Sequence, residues 1–325
     1  MRAARCLAYG PPSSVAVVDV PDPAPSEGQV VVDVVAAAVN FPDVLVVADS
    51  YQIHIPVPFT VGSEFAGTVR SIGDGVNGLS VGDRVKGSVL FGAFAEQIAV
   101  AAASLQIVDP SIDLGTAAAS GVAHCTAYHA LRSLARVQPG EWVVVLGAAG
   151  GVGLAGVELG AALGARVVAA ASSPEKLDLC LQRGAEAGVN YSTEDLKVRV
   201  KEITGGGADV VLDPVGGAVA EQALRALRWG GRFVTLGFAS GEIPRIPLNL
   251  VLLKGVLITG FTMEGFARHQ AADRHRDLAE LAELARTGRA SPYISATYPL
   301  DQVGRALSDL SERRATGKVL VDPSR

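Results

Sequence analysis

The first hundred residues carry short apolar runs, broken at close intervals by turn residues. Runs at 15–20, 30–39, 65–72 and 93–100 read as strands, with turn signals at 22–25, 73–75 and 81–83. Irregular β structure with such close turns predicts a small barrel or a sandwich. The texture changes near Leu114, where a helical periodicity begins that runs over 114–136 and stops at Gln138-Pro139-Gly140. Strands then alternate with helices: strands at 142–146, 166–171, 209–213, 232–237 and 257–259, helices at 152–163, 174–183 and 219–227. That alternation implies βαβ units and a parallel sheet. From about Gly265 the chain becomes charged and helical, with amphipathic stretches at 273–286 and 301–314, an intervening segment at 293–298 and a closing strand at 318–321. These pieces are expected to return to the first domain. The predicted division is 1–120, 121–262 and a returning segment 263–325.

The apolar strand at 142–146 runs into Gly147-Ala148-Ala149-Gly150-Gly151-Val152-Gly153 and then into a helix rich in alanine and leucine. Strand, glycine turn and helix together are the context that a dinucleotide-binding turn requires. Gly150 and Gly153 stand at the second and third glycine positions, and Ala148 replaces the first. Gly150 lets the backbone approach a pyrophosphate, and Gly153 lets the helix pack close to the strand. The amides of Gly151 and Val152, at the positive end of the helix dipole, face the phosphates.

The end of the second strand decides which dinucleotide fits. NAD-binding folds place an acid there, for the ribose hydroxyls. This strand ends Ala169-Ala170-Ala171-Ser172-Ser173-Pro174-Glu175-Lys176, with hydroxyls and a lysine and no acid at the strand end. A 2′-phosphate favours donors and positive charge, whereas a carboxylate would repel it. Tyr191, after the following strand, adds a further hydroxyl. The expected cofactor is NADPH. Helix capping by Ser173 is the alternative use of that hydroxyl.

Composition narrows the classes further. Of 325 residues, 49% are hydrophobic, enough for a large core without staples. The three cysteines, Cys6, Cys125 and Cys180, are far apart and odd in number, which speaks against a disulfide framework. With 28 basic and 33 acidic residues the net charge is −5 and no basic stripe points to nucleic acid. Charges and glycines interrupt every apolar run before membrane-spanning length, and the N-terminal residues lack the apolar core of a signal peptide. A cytoplasmic protein is expected.

The order and spacing of five motifs resemble the medium-chain dehydrogenase/reductase superfamily over the whole chain. They are Val39-Asn40-Phe41-Pro42-Asp43, Val61-Gly62-Ser63-Glu64-Phe65-Ala66-Gly67, Val81-Gly82-Asp83-Arg84-Val85, the turn at 148–153, and Leu212-Asp213-Pro214-Val215-Gly216-Gly217. Zinc members of that superfamily carry a cysteine where this chain has Asn40, and a histidine where it has Ser63. They also carry a close run of four cysteines, absent here. The chain is therefore most similar to the zinc-independent quinone oxidoreductases. His124, Cys125 and His129 form the one cluster worth considering for a metal, and His124 points off the helix face that the other two share. No metal is expected.

The resemblance implies a fold of class α/β: a GroES-like β-barrel domain plus a Rossmann domain with a doubly wound parallel sheet, and an active cleft between them. It also implies a homodimer through an edge strand at 256–259. Its cofactor set maps onto Thr126, Gly150, Gly151, Val152, Ser172, Ser173, Lys176, Tyr191, Phe238 and Lys318. Without a metal to polarise a carbonyl, the substrate must already be electrophilic, as a quinone or an α,β-unsaturated carbonyl is. The candidate catalytic residues are Asn40, Asp43 and Tyr51. They would orient the substrate and donate hydrogen bonds to the developing oxyanion, with a structural role as the alternative for Asp43. The Tyr51 hydroxyl is either the proton donor or a wall of the cleft. Glu64 is read as a prop at the junction of the domains. Relatives often have Arg and Gly before the tyrosine, where this chain has Ala48-Asp49-Ser50; the loop at 52–58 is apolar apart from His54 and suits a flat hydrophobic substrate. Two other functions compete: an enoyl-thioester reductase, whose phosphate track Arg268, Arg274 and Arg276 would supply, and an NADPH-binding protein with little catalysis.

Overall fold

A computed structural model describes every residue, Met1–Arg325. The first 122 residues form β1 (Arg2–Cys6), β2 (Val15–Asp19), β3 (Gln29–Val39), α1 (Phe41–Val47), β4 (Phe59–Thr60), β5 (Glu64–Ile72), β6 (Arg84–Ser88), β7 (Gln97–Ala101), β8 (Leu105–Ile107) and α2 (Leu114–Ala119). Next come α3 (Val122–His129), β9 (Trp142–Leu146), α4 (Gly151–Ala162), β10 (Arg166–Ala171), α5 (Pro174–Gln182), β11 (Ala187–Asn190), α6 (Leu196–Thr204), β12 (Ala208–Asp213) and α7 (Gly217–Ala226). They are followed by β13 (Leu227–Thr235), α8 (Leu248–Lys254), β14 (Leu257–Gly260), α9 (Met263–His269) and α10 (Ala271–Arg286). The chain closes with β15 (Ile294–Pro299), α11 (Val303–Ser311) and β16 (Lys318–Asp322). Two compact units result: residues 1–122 with 292–325, and residues 123–291. No helix is long and apolar enough to cross a membrane.

In the first unit, β15, β16, β3, β5, β6 and β8 lie side by side in one sheet, with β7 also paired to β3, and β2, β1 and β4 form a second, smaller sheet. One apolar core lies under both, from Ala4 and Cys6 on β1 through Val30, Val32, Phe65 and Val85 to Val319 and Val321, closed by Val303, Ala306 and Leu307 of α11. The pairing of β16 with β3 puts Val319 opposite Val39. A residue near the end of the chain thus sits beside the residues that open α1.

In the second unit the strand order is β11-β10-β9-β12-β13-β14, and every pairing is parallel. This is the doubly wound order, with its switch point at β9, where ligands bind outside the carboxyl ends of the strands. The central strands read as unbroken apolar runs because both faces are covered. Val143, Val145, Val167, Ala169, Val210 and Leu212 enter one core, while Val144, Leu146, Val168, Ala170 and Val211 enter the other.

Two expectations are corrected. The helix expected over 114–136 is interrupted between α2 and α3, at Ser120 and Gly121. A Cβ on Gly121 would lie 2.5 Å from Glu64 Oε1, and that oxygen accepts the Val122 N–H at 2.7 Å. A side-chain carboxylate thus takes the place of the helical carbonyl. The segment 263–291, expected to return to the first domain, belongs to the second unit, and the return begins at Pro292. Amphipathic periodicity marks the apolar face of α10 but not the core that covers it. Polar pairing decides: His129 Nδ1 donates to buried Asp277 at 2.8 Å, and Tyr128 Oη and Arg132 Nε donate to Glu280 at 2.7 and 2.9 Å.

Candidate active site

The glycine turn follows β9 at the switch point. Gly147 has φ of +56°, a conformation glycine adopts without the Cβ penalty. Its carbonyl accepts the Gly150 N–H at 2.9 Å. A Cβ on Gly153 would lie 2.2 Å from that same carbonyl oxygen, so only glycine lets α4 start this close to the strand. Gly150 is the N-cap, and Gly151 and Val152 open α4, where the first amides have no partner within the helix. A cradle of backbone amides that no side chain fills suits a pyrophosphate. Gly147 makes the sharp turn assigned to the first glycine of the motif. It stands one position earlier than the pattern asks, so the sequence reading missed it.

Ser172, Ser173, Lys176 and Tyr191 are brought together at the carboxyl ends of β10 and β11. Lys176 Nζ lies 3.5 Å from Ser172 Oγ, and the Tyr191 amide donates to Ala171 O at 3.1 Å. Ser173 is the N-cap of α5, its hydroxyl accepting from the Lys176 amide. The capping use of Ser173 and the gathering of donors around Ser172 therefore coexist. No carboxylate occupies the strand end itself. Farther along the sheet, Asp213 is buried, and its Oδ1 accepts the Val215 and Gly216 amides, each at 2.8 Å. It shapes the turn at Gly216, where a Cβ would lie 2.9 Å from the Phe238 ring. Thr126 is half-buried on α3 of the same unit.

In the first unit a polar network is closed inside the apolar core. Asn40, Asp43, Glu64 and Lys318 are all buried. Lys318 Nζ donates to Asn40 Oδ1 at 2.6 Å, Glu64 Oε2 at 3.2 Å and Val39 O at 3.3 Å. Asn40 Nδ2 donates to Glu64 Oε2 at 3.0 Å and Ala38 O at 3.3 Å, with Ser63 Oγ at 3.5 Å. The charges fix the amide orientation: a flipped carboxamide would set NH2 against the ammonium and oxygen against the carboxylate. Asp43 Oδ2 accepts the Asn40 backbone N–H at 2.8 Å, and the Ser63 hydroxyl lies near its carboxyl. Burial pushes the Asp43 carboxyl up to about 7.

Two site readings change here. Lys318 was expected at the cofactor, but its three hydrogens all have acceptors in this network, so none is left for a phosphate. Asn40 was expected to donate to an oxyanion; its amide hydrogens already point to Glu64 and Ala38, and the carboxamide offers only acceptor capacity. The Lys318–Glu64 pair was not read from the sequence. Lys318 stands 278 positions from Asn40, and only the β16–β3 pairing brings the two together.

Tyr51 packs partly buried against the apolar core of the first unit, in a loop where Asp49 has φ of +51° and accepts from His54 Nδ1 at 2.8 Å. His124 and His129 face different partners: Glu158, at 3.5 Å from His124 Nε2, and Asp277. No three His, Cys, Asp or Glu side chains are grouped so as to hold a metal.

Residues 26–110 match the alcohol dehydrogenase GroES-like domain, and residues 151–283 match the zinc-binding dehydrogenase family. The chain is 38% identical over 322 residues to mouse quinone oxidoreductase-like protein 2, covering 98% of this chain and 91% of that protein. It is 30% identical over 329 residues to human quinone oxidoreductase, covering 99% and 97%. Escherichia coli quinone oxidoreductase, solved in complex with NADPH, superposes with a TM-score of 0.93 at 30% identity, over 99% of this chain and all of that one. The chain belongs to the medium-chain dehydrogenase/reductase superfamily, in its quinone oxidoreductase subfamily, with a GroES-like domain joined to a Rossmann-like parallel-sheet domain.

Proposed function

We propose that this oxidoreductase reduces quinones or other α,β-unsaturated carbonyls with NADPH and without a metal. One observation carries the reading: Asn40, which stands where zinc members have thiolate, is bonded to Lys318 and Glu64, and Ser63, which stands where they have imidazole, lies against Asn40 instead. A carboxamide oxygen held by an ammonium and a neutral hydroxyl are poor soft-metal ligands. The substrate must then bring its own electrophilicity, as conjugated carbonyls do.

The cofactor residues fit NADPH. The Gly151 and Val152 amides would hold the pyrophosphate, with Gly150 letting it approach, and Ser172, Lys176 and Tyr191 the 2′-phosphate. When bound, the nicotinamide would supply hydride. A structural relative solved with NADPH supports the choice. The enoyl-thioester alternative is weakened by Arg276, whose guanidinium is bonded to Asp273, Asp277 and Ser133 and so offers little to a CoA phosphate. We further propose a homodimer through β14. That strand ends the parallel sheet, and its residues Leu257 and Ile258 are 64% and 43% exposed, with Trp229, Leu248, Leu252 and Leu253 also exposed. An apolar edge of this kind needs a cover, and a second copy offers an identical one.

A panel with 9,10-phenanthrenequinone, a simple enone and crotonyl-CoA, followed at the NADPH absorbance, tests the function. Turnover of the quinone or enone is expected to exceed that of the thioester. Preference for the thioester supports the alternative, and turnover of none of them supports a binding role. Elemental analysis of chelator-free protein tests the metal, and about one zinc per chain overturns that part.

A further inference from the structure

The loop that follows α1 holds an ion pair that the proposed reaction does not use. Asp49 stands in the left-handed region, with φ of +51°. Aspartate tolerates that conformation better than most residues, because its short polar side chain bonds locally. Here it reaches across the loop: Asp49 Oδ1 lies 2.8 Å from His54 Nδ1. The base of the loop is tied by the Ser50 amide on Leu45 O at 2.8 Å and the Gly10 amide on Val47 O at 3.0 Å. From the facing turn, Tyr9 Oη donates to the carbonyl of buried Ile55 at 2.5 Å. The Tyr9 and His54 rings have centroids 5.4 Å apart, and Tyr9 Oη lies 3.4 Å from each His54 ring nitrogen. Tyr51 falls between Asp49 and His54 in the chain, packed on the apolar core.

Hydrogen counting singles this cluster out. Tyr9 has one hydroxyl hydrogen, and it goes to Ile55 O, so toward His54 the oxygen can only accept. The Asp49 carboxylate also only accepts. The imidazole therefore faces two acceptors. A neutral ring has one N–H and serves one of them, whereas the imidazolium has two and serves both. The other ionisable groups of this region have partners of their own: the Cys6 thiol donates to Ala8 O, and Arg5 donates to Pro58 O at the end of the loop. Asp43, on α1, is bonded to the Asn40 amide.

We propose that His54 is a protonation-dependent clasp on the loop 49–55. Its imidazolium, held between Asp49 and Tyr9, fixes the segment that carries Tyr51, and loss of the proton loosens it. His54 and Asp49 are both exposed, so the clasp exchanges protons with solvent directly. Histidine changes charge between about pH 5 and 8. The charged form makes the additional bond, so the clasp is closed on the acid side of that range and is lost as pH rises through it. An exposed pair of this kind changes a local opening equilibrium by about two- to fivefold. His54 is then a positioning residue that acts through Tyr51; this last step rests on the reductase reading above, and the clasp itself does not.

Hydrogen exchange of the full chain, read by NMR at the Ser50 amide and corrected for the intrinsic rate at each pH, tests the clasp. Asp43 titrates in the same range, so the comparison that counts is parent against variant. Between about pH 5 and 8, Ser50 protection is expected to fall about two- to fivefold more in the parent than in His54→Leu. His54→Lys keeps a cation at every pH and should remove that excess while keeping the loop protected. Asp49→Asn keeps a residue that tolerates the left-handed backbone, and should lower protection at the acid end. An equal pH response in the parent and His54→Leu overturns the proposal. The second readout is turnover of 9,10-phenanthrenequinone with NADPH. Its KM is expected to rise about two- to fivefold over the same range in the parent, beyond any rise in either His54 variant. A KM that follows pH alike in the parent and His54→Leu overturns the positioning role. Exchange that behaves as stated, with no quinone reduced, supports the clasp and overturns the reductase reading instead.

Discussion

Lys318→Met removes one charge from the buried network and keeps the length of the side chain. Glu64 Oε2 then loses an ammonium at 3.2 Å, and Asn40 Oδ1 loses its donor at 2.6 Å. Glu64 is 1% exposed, so water cannot replace the lost partner without opening the core. Breaking a buried pair from one side costs about 3–5 kcal/mol, because an uncompensated charge stays behind. The second variant, Glu64→Gln, keeps an acceptor for the Val122 amide and removes that charge. The double variant Lys318→Met/Glu64→Gln is therefore expected to recover most of the loss, with a coupling of at least about 2 kcal/mol. Both tryptophans, Trp142 and Trp229, lie in the second unit, so fluorescence does not follow unfolding of the first. Circular dichroism in a urea titration, with hydrogen exchange read at Val122 and along β3 and β16, does. A loss below about 1 kcal/mol in Lys318→Met, or additive losses in the double variant, refutes a buried charge pair as the centre of this unit.

Lys176→Ala is expected to weaken NADPH binding roughly ten- to a hundredfold, since a hydrogen bond to a charged group contributes about 1.5–3 kcal/mol, and to leave NADH binding nearly unchanged; equal losses in binding titrations would assign Lys176 to the fold. Gly153→Ala places a methyl 2.2 Å from Gly147 O, so cofactor affinity and thermal stability should fall together, and a variant with parental affinity would show that α4 shifts freely. The folded-state value of about 7 for Asp43 lies above its ordinary 3.8. Its contribution to stability is present at low pH and is lost as pH rises from about 4 through about 7. Between pH 5 and 8 the parent should therefore lose about 2–3 kcal/mol more than Asp43→Asn, as measured by denaturant unfolding at each pH. Light scattering at micromolar concentration should give a dimer, and Ile258→Lys, placing a charge on β14, should shift it to monomer; a parental monomer rules the interface out.

Much of the second unit was legible in the chain itself. Strands at 142–146 and 166–171 were read to the residue because unbroken apolar runs are what a sheet covered on both faces requires. The glycine turn and the acid-free end of the second strand are local features, carried by residues within a few positions of each other. Local chemistry of that kind survives without tertiary information. Three things did not. The break at Gly121 depends on a carboxylate 57 positions away, since no propensity rule anticipates Glu64 reaching the Val122 amide. The placement of α10 depends on which core covers an amphipathic face, and periodicity is the same for either. Lys318 shows it most clearly. In sequence it is a lone cation opening a short strand, equally suited to a phosphate or to solvent. Only the antiparallel pairing of β16 with β3 turns its ammonium inward onto Asn40 and Glu64. A side chain's composition sets which partners it can take; strand register sets which partner it meets.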